Sequence, residues 1–226
     1  MTSPTLLDLT KSFDEELVKA NILEIPNMDT RLIVDQSGSM EEEFENGWVD
    51  KTIALVTAAA LRFDSDGELE IGFFNNSLTR YENVTAQNVG MYTKKHGVRV
   101  HGGTSYAPAV YGMTNQHPKA DGVTGWFIKK LSKLNPRAYG PAYTVMVTDG
   151  DNSDSIEFLE SLDSMDKAQF LQIIAIGNQV TMYNLNSAAH LPNVAVQHLP
   201  NPHTVNDEDF FKVICNAKFK TWLESL

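Results

Sequence analysis

The sequence predicts a doubly wound α/β domain, a mostly parallel sheet with helices on both faces. Three observations carry this. The runs Arg31–Val34, Tyr143–Thr148 and Leu171–Ile176 are almost continuously apolar, as strands buried on both faces must be. Segments with helical periodicity separate these runs, the alternation that builds parallel sheets. Two of the strands end in aspartate, Asp35 and Asp149. In open α/β sheets, ligands bind beyond the carboxyl ends of the strands, where strand order reverses.

The elements follow in order. Leu6, Leu9, Phe13, Leu17 and Ala20 recur at helical spacing, so residues 5–20 read as an amphipathic helix, and Pro26 closes that element. This gives an N-terminal helical extension over 1–28, packed on a main domain over 29–226. Strand one is Arg31–Val34, and a Ser/Gly turn and an acidic loop (Glu41, Glu42, Glu43) follow it. A helix from about Val49 to Phe63 is apolar almost all round across Ile53–Leu61, which implies deep burial. Asp64–Gly67 turns the chain into a second strand, Leu69–Phe74, and Asn75-Asn76 turns it into a short third, Leu78–Tyr81. These two are close enough to form a hairpin, so one edge strand should be antiparallel. Helices are expected over Thr85–His96, Ala107–Thr114, Gly125–Leu134 and Ser155–Met165. The remaining strands are Tyr143–Thr148, Leu171–Ile176 and Val194–Leu199. The last helix begins after Asn206 or Asp207 and runs to the C-terminus, with Phe211, Cys215, Phe219 and Trp222 on one face. The expected strand order is 3-2-1-4-5-6, which makes the first and fourth strands neighbours.

Composition narrows the function classes. The chain has 226 residues, enough for one large domain or two small ones at roughly 150 residues each. Apolar residues make up 42% and charged residues 21%, as in ordinary soluble domains that can build a core. The 18 Lys and Arg against 29 Asp and Glu give a net charge of −11. That charge repels phosphate backbones and anionic membranes and argues against nucleic acid as a partner. It also concentrates cations. A single cysteine, Cys215, rules out an intramolecular disulfide framework and a multi-cysteine metal site. No run approaches the roughly 18 apolar residues of a membrane span. Met1–Lys11 lacks the pattern of a signal peptide. The expectation is a soluble, acidic, cytoplasmic protein.

The chemistry-bearing residues cluster in three places. After Asp35 the chain reads Gln36-Ser37-Gly38-Ser39-Met40, and a tight loop can turn the Asp35, Ser37 and Ser39 oxygens inward. Gly102-Gly103-Thr104-Ser105 can bring the Thr104 hydroxyl close, because glycines permit close backbone approach. Asp149-Gly150 follows strand four. With strands one and four adjacent, the two carboxylates face each other at the sheet edge. Two carboxylates and three hydroxyls form an all-oxygen donor set that suits Mg²⁺, Mn²⁺ or Ca²⁺, and zinc is not favoured without Cys or His.

These residues resemble the metal-ion-dependent adhesion site of von Willebrand factor A (vWA) domains. Asp35–Met40, Ala60–Leu69, Gly102–Pro108 and Val147–Asn152 further resemble the vWA proteins of bacterial tellurium-resistance (Ter) stress systems, the TerF-like group. Asp207–Phe210 through Trp222-Leu223 is similar to that family's C-terminal helix. The resemblance implies direct metal ligation by the Ser37 and Ser39 hydroxyls. Thr104 would bind directly or through water, and Asp35 and Asp149 would act largely through bound waters. Neutral direct ligands would leave the cation, most simply Mg²⁺, with enough charge to take an Asp or Glu carboxylate from a protein partner. The resemblance therefore implies a non-enzymatic adaptor in a stress-response complex.

Other patterns compete with this one. A Mg²⁺-dependent phosphatase of the haloacid-dehalogenase type would use Asp35 as nucleophile and the Asp149–Asp154 loop for metal. Such enzymes usually carry a second Asp two residues on, where this chain has Ser37, and Gly102-Gly103-Thr104 would have no role. Asp149–Asp154 with Glu160 partly matches an EF-hand loop, but the glycine position is Asp154. His101 reads as a loop or packing histidine, Glu41–Glu43 as a solvated face beside the site, and Cys215 as buried structure.

Overall fold

The computed structural model describes residues 4–114, 140–150, 152–178 and 182–226. The helix expected over Gly125–Leu134 lies outside them. Six strands form one sheet in the order β3-β2-β1-β4-β5-β6. They are β1 Asp29–Asp35, β2 Leu69–Phe74, β3 Leu78–Arg80, β4 Ala142–Thr148, β5 Gln169–Ile176 and β6 Val194–Leu199. Every neighbouring pair is parallel except β2 and β3, which form the antiparallel edge. β4 and β5 are buried along their whole length, which explains why their sequences show no alternation.

The helices are α1 Leu6–Lys19, α2 Glu41–Glu45, α3 Trp48–Phe63, α4 Tyr92–Lys95, α5 Tyr106–Met113, α6 Ser155–Asp163, α7 Met182–Ala188, α8 Asp207–Ile214 and α9 Ala217–Leu223. One face of the sheet, carrying Leu32, Val34, Tyr143 and Val145, packs with α1, α3, α8 and α9. The other, carrying Ile33, Met146, Leu171 and Ile173, packs with α5, α6 and α7.

The first helix belongs to the core. Thr5 caps α1 in a reciprocal box with Asp8. Its apolar stripe places Phe13, fully buried, against Phe63 of α3 (ring centroids 5.4 Å apart) and Phe211 of α8 (5.1 Å). The aromatic packing continues through Phe63, Tyr143, Phe170, Phe219 and Trp222.

Several expectations change. Thr85–His96 is helical only over Tyr92–Lys95. Val84 is pinned to Leu69 by a bridge, and the Asn88 side chain accepts from the Thr85 amide, a local turn that competes with helix. The single C-terminal helix is two. Asn216 interrupts it, and its carboxamide oxygen accepts from the Lys218 and Phe219 amides as the N-cap of α9. Phe211, Cys215, Phe219 and Trp222 are nevertheless all buried, and burial pushes the Cys215 thiol well above its usual range. The acidic loop after β1 contains the short helix α2, and α7 was not anticipated.

Phe13→Ala should destabilise the fold by about 3–5 kcal/mol, because it empties a fully enclosed aromatic site. Urea denaturation measures this. A loss below about 1 kcal/mol would mean that α1 is dispensable to the core.

Candidate metal site at the carboxyl edge of the sheet

Three loops at the carboxyl edge carry the predicted residues. Asp35 ends β1 and is fully buried. Both of its oxygens are engaged. Oδ1 accepts from the Ser37 amide at 2.8 Å, and Oδ2 accepts from the Thr148 hydroxyl at 2.7 Å. Ser37 is buried, and its Oγ lies 3.1 Å from Ser39 Oγ. Ser39 is exposed and donates to Asp149 Oδ1 at 2.8 Å. A hydrogen-bonded line thus runs from Asp35 of β1 through the Ser37 amide and the two serine hydroxyls to Asp149 after β4, its last bond spanning 110 residues of sequence.

Thr104 completes the group through the geometry of Gly150. A carbon added at Gly150 would lie 3.5 Å from Thr104 Oγ1 and 3.7 Å from Ser39 Oγ. Both hydroxyls border one small space, and glycine leaves it open. The predicted set therefore converges, with a buried floor (Asp35, Ser37, Thr104) and a more open rim (Ser39, Asp149).

Backbone hydrogen bonds fix the loops. Gly38 N–H donates to Gly102 O, His101 N–H to Gln36 O, and Gln36 N–H to Phe74 O. Gly102 adopts φ 84°, a conformation that favours glycine, and a side chain there would crowd the Asn75 and Asn76 carboxamides at 3.2 Å.

Several contributing residues were not singled out from the sequence. Thr148 supplies the hydrogen bond that holds Asp35. The Asn75 side-chain carboxamide donates to His101 O, and Asn76 Oδ1 accepts from the Gly103 backbone N–H. Tyr106 Oη donates to the Gly150 carbonyl. The only available signal was position, near a candidate ligand or directly after a strand.

Other patterns resolve as well. Asp154 accepts from the Tyr106 and Ala107 amides at 2.9 and 2.8 Å, and β4 occupies the place of an EF-hand's entering helix. The His101 ring is exposed and lies 2.9 Å from Arg99 O, a loop role. Glu43 is buried rather than solvated, whereas Glu41 and Glu42 are exposed.

Burial also perturbs the carboxylates of this edge. Burial pushes the Asp35 carboxyl up to about 6; the Thr148 and Ser37 hydrogen bonds oppose that shift, and the charge of Asp149 adds to it. Burial also raises Asp149, against the hydrogen bond from Ser39. Burial raises Glu43 too, and Asp149 reinforces this. Among the described residues no positive side chain offsets Asp35 or Asp149. Nor does any cluster there hold three His, Cys, Asp or Glu side chains at metal-binding distance. The donor set is hydroxyl-rich with two carboxylates, and it fits a hard divalent cation whose charge would match the anionic floor.

A family model described as "vWA found in TerF C terminus" matches residues 27–226. The chain belongs to the vWA-TerF-like family. A relative of this vWA-TerF-like chain is the uncharacterized protein YcbR of Bacillus subtilis. It is 24% identical over 200 residues, covering 85% of this chain and 76% of that protein. Among solved structures, the von Willebrand factor type A protein from Catenulispora acidiphila is similar at TM-score 0.57 and 14% identity. The match covers 84% of this chain and 43% of that one, so the present chain corresponds to less than half of that protein. Proximal thread matrix protein 1 from the mussel byssus, with a zinc-occupied MIDAS motif, is similar at TM-score 0.53 and 16% identity, over 84% and 46% of the two chains. Manganese-loaded TRAP protein of Plasmodium vivax is similar at TM-score 0.52 and 16% identity, over 82% and 72%. At these identities the likeness is one of fold. Among the described residues no helix is long and apolar enough to cross a membrane.

The raised Asp35 value makes a signed prediction. The folded state holds this proton more tightly than the unfolded chain does. The stabilisation from protonation is full below about 3.8, declines as pH rises through about 6, and is then lost. In EDTA, wild type minus Asp35→Asn should therefore lose up to about 3 kcal/mol of stability between pH 4 and pH 7. Urea midpoints across that range measure the difference; a pH-independent difference contradicts the assignment.

Proposed function

We propose that this chain is a metal-dependent protein-recognition module. Ser37, Ser39 and Thr104 would present hydroxyls to one divalent cation, and Asp35 and Asp149 would balance its charge from behind. The observation that carries this reading is the hydrogen-bonded line from Asp35, through the Ser37 amide, and on through the Ser37 and Ser39 hydroxyls to Asp149, buried at one end and open at the other. A cation held mainly by neutral hydroxyls supplies an open position for an Asp or Glu carboxylate of a partner. The chain's own residues set the geometry of that position and keep the floor free of competing positive charge.

Mg²⁺ is the ion we assign by donor chemistry, with Mn²⁺ or Ca²⁺ acceptable to the same oxygens. The zinc-occupied and manganese-loaded relatives of the fold support a divalent cation in general. Membership in the TerF-like family supports an adaptor role in a cytoplasmic tellurium-resistance or chemical-stress complex. A non-enzymatic role accords with Asp35, since a carboxylate that is fully buried with both oxygens hydrogen-bonded is poorly placed to attack phosphate. The Gly102-Gly103-Thr104 loop, which the phosphatase pattern leaves idle, borders the site.

Calorimetric titration with Mg²⁺ or Mn²⁺ should give one site per chain. Ser37→Ala and Ser39→Ala should each weaken it at least tenfold while leaving the circular dichroism spectrum unchanged. Partner retention from host lysate should vanish in EDTA, return with Mg²⁺, and fail for Ser37→Ala. Undiminished retention by that variant would refute the bridging mechanism. Hydrolysis of phosphate esters that is lost in Asp35→Asn would favour the phosphatase instead.

A further inference from the structure

Asp154, which disqualifies the EF-hand pattern, has a definite place in the fold. Its carboxylate receives the Tyr106 N–H on Oδ1 (2.9 Å) and the Ala107 N–H on Oδ2 (2.8 Å), the first two amides of α5. Its neighbour Ser153 donates twice to the carbonyl of Thr104, from its amide at 3.0 Å and from its hydroxyl at 3.1 Å. Ser153 Oγ also lies 3.2 Å from Ser105 Oγ, and Tyr106 Oη returns to the Gly150 carbonyl. Gly150, Ser153 and Asp154 of the loop after β4 are therefore each fastened to the segment Thr104–Ala107 that enters α5. By contrast, the loop of Ser37 and Ser39 meets this assembly through the backbone hydrogen bonds from Gly38 N–H to Gly102 O and from His101 N–H to Gln36 O, and through the Ser39–Asp149 hydrogen bond.

We infer that Asp154 is a positioning residue for the cation site, locking Thr104 and Asp149 into one rigid unit. This rests on the metal-dependent reading above. Asp154 does not touch the cation. It anchors the amides that directly follow Thr104 and Ser105, and so fixes where the Thr104 hydroxyl stands relative to Asp149. Supporting groups of this kind typically govern metal affinity by about 10–100-fold. An ordinary helix cap would contribute only to stability.

The test uses Mn²⁺ alone, titrated by calorimetry, with amide hydrogen exchange followed in EDTA. Asp154→Ala should weaken Mn²⁺ binding about 10-fold or more and accelerate exchange at Tyr106 and Ala107. Asp154→Asn, which keeps one acceptor oxygen, should fall between wild type and Asp154→Ala. The control is Asn206→Ala, which removes a cap from α8, where Asn206 Oδ1 accepts from the Asp209 amide at 2.8 Å. It should lower thermal stability yet leave Mn²⁺ affinity within twofold. Wild-type affinity in Asp154→Ala, or an equal loss in both cap variants, overturns the inference while leaving the metal reading standing. Absence of Mn²⁺ binding by the wild type overturns the metal reading and this inference with it.

Discussion

The organisation of the sheet's carboxyl edge depends on one buried interaction. Asp35 sits at the end of β1 with no exposure, and the Thr148 hydroxyl reaches it from the end of the neighbouring strand. A buried carboxylate is costly unless its lone pairs are satisfied. Here the Ser37 amide and Thr148 satisfy them, and each forces a local geometry. The Ser37 bond curls the chain back immediately after the strand, which aims the two serine hydroxyls across the crevice. The Thr148 bond ties the fourth strand to the first at the level where Asp149 leaves the sheet.

The fold was legible because its determinants are local or periodic. The central strands are apolar without alternation because helices cover both faces, and the two edge strands are short or half-exposed. The strand order was that of the doubly wound class to which the alternation pointed, and the hairpin followed from the three-residue spacing Asn75-Asn76-Ser77. Where propensity misled, a side chain had offered the backbone another partner, as Asn88 does before Tyr92 and Asn216 does in the C-terminal segment. Asn216 fits the periodicity of a helix surface, and nothing in that periodicity indicates that its carboxamide will bond two amides ahead of it.

The candidate site was legible to a different depth. Asp35, Ser37, Ser39, Thr104 and Asp149 could be found because their residue types, a strand end and the glycines coincide. The residues that hold them could not. Thr148 looks like any β-branched strand residue, Asn75 and Asn76 like any turn, and Asp154 like any loop acid. Their roles arise from contacts across 113, 26, 27 and 48 positions, which spacing does not encode. Glu43 shows the reverse error. A run of three acids reads as solvated, yet helix α2 turns the third inward.

Strand β1 carries a charge near each end on the same face. Arg31 is as thoroughly buried as Asp35, and its guanidinium meets Asp29, Gln169 and Glu70 at 2.8, 2.8 and 3.3 Å. Between them lies Ile33, in the apolar layer under α5. A slip of two residues would preserve which side chains face which layer, so hydrophobic pattern alone would tolerate it. It would also pull the guanidinium away from Gln169 and Glu70 and the carboxylate away from Thr148 in a single movement. The polar ends of β1 thus act as a ruler for strand alignment, and the same measurement that sets the register places Asp35 and the serine loop at their height on the carboxyl edge.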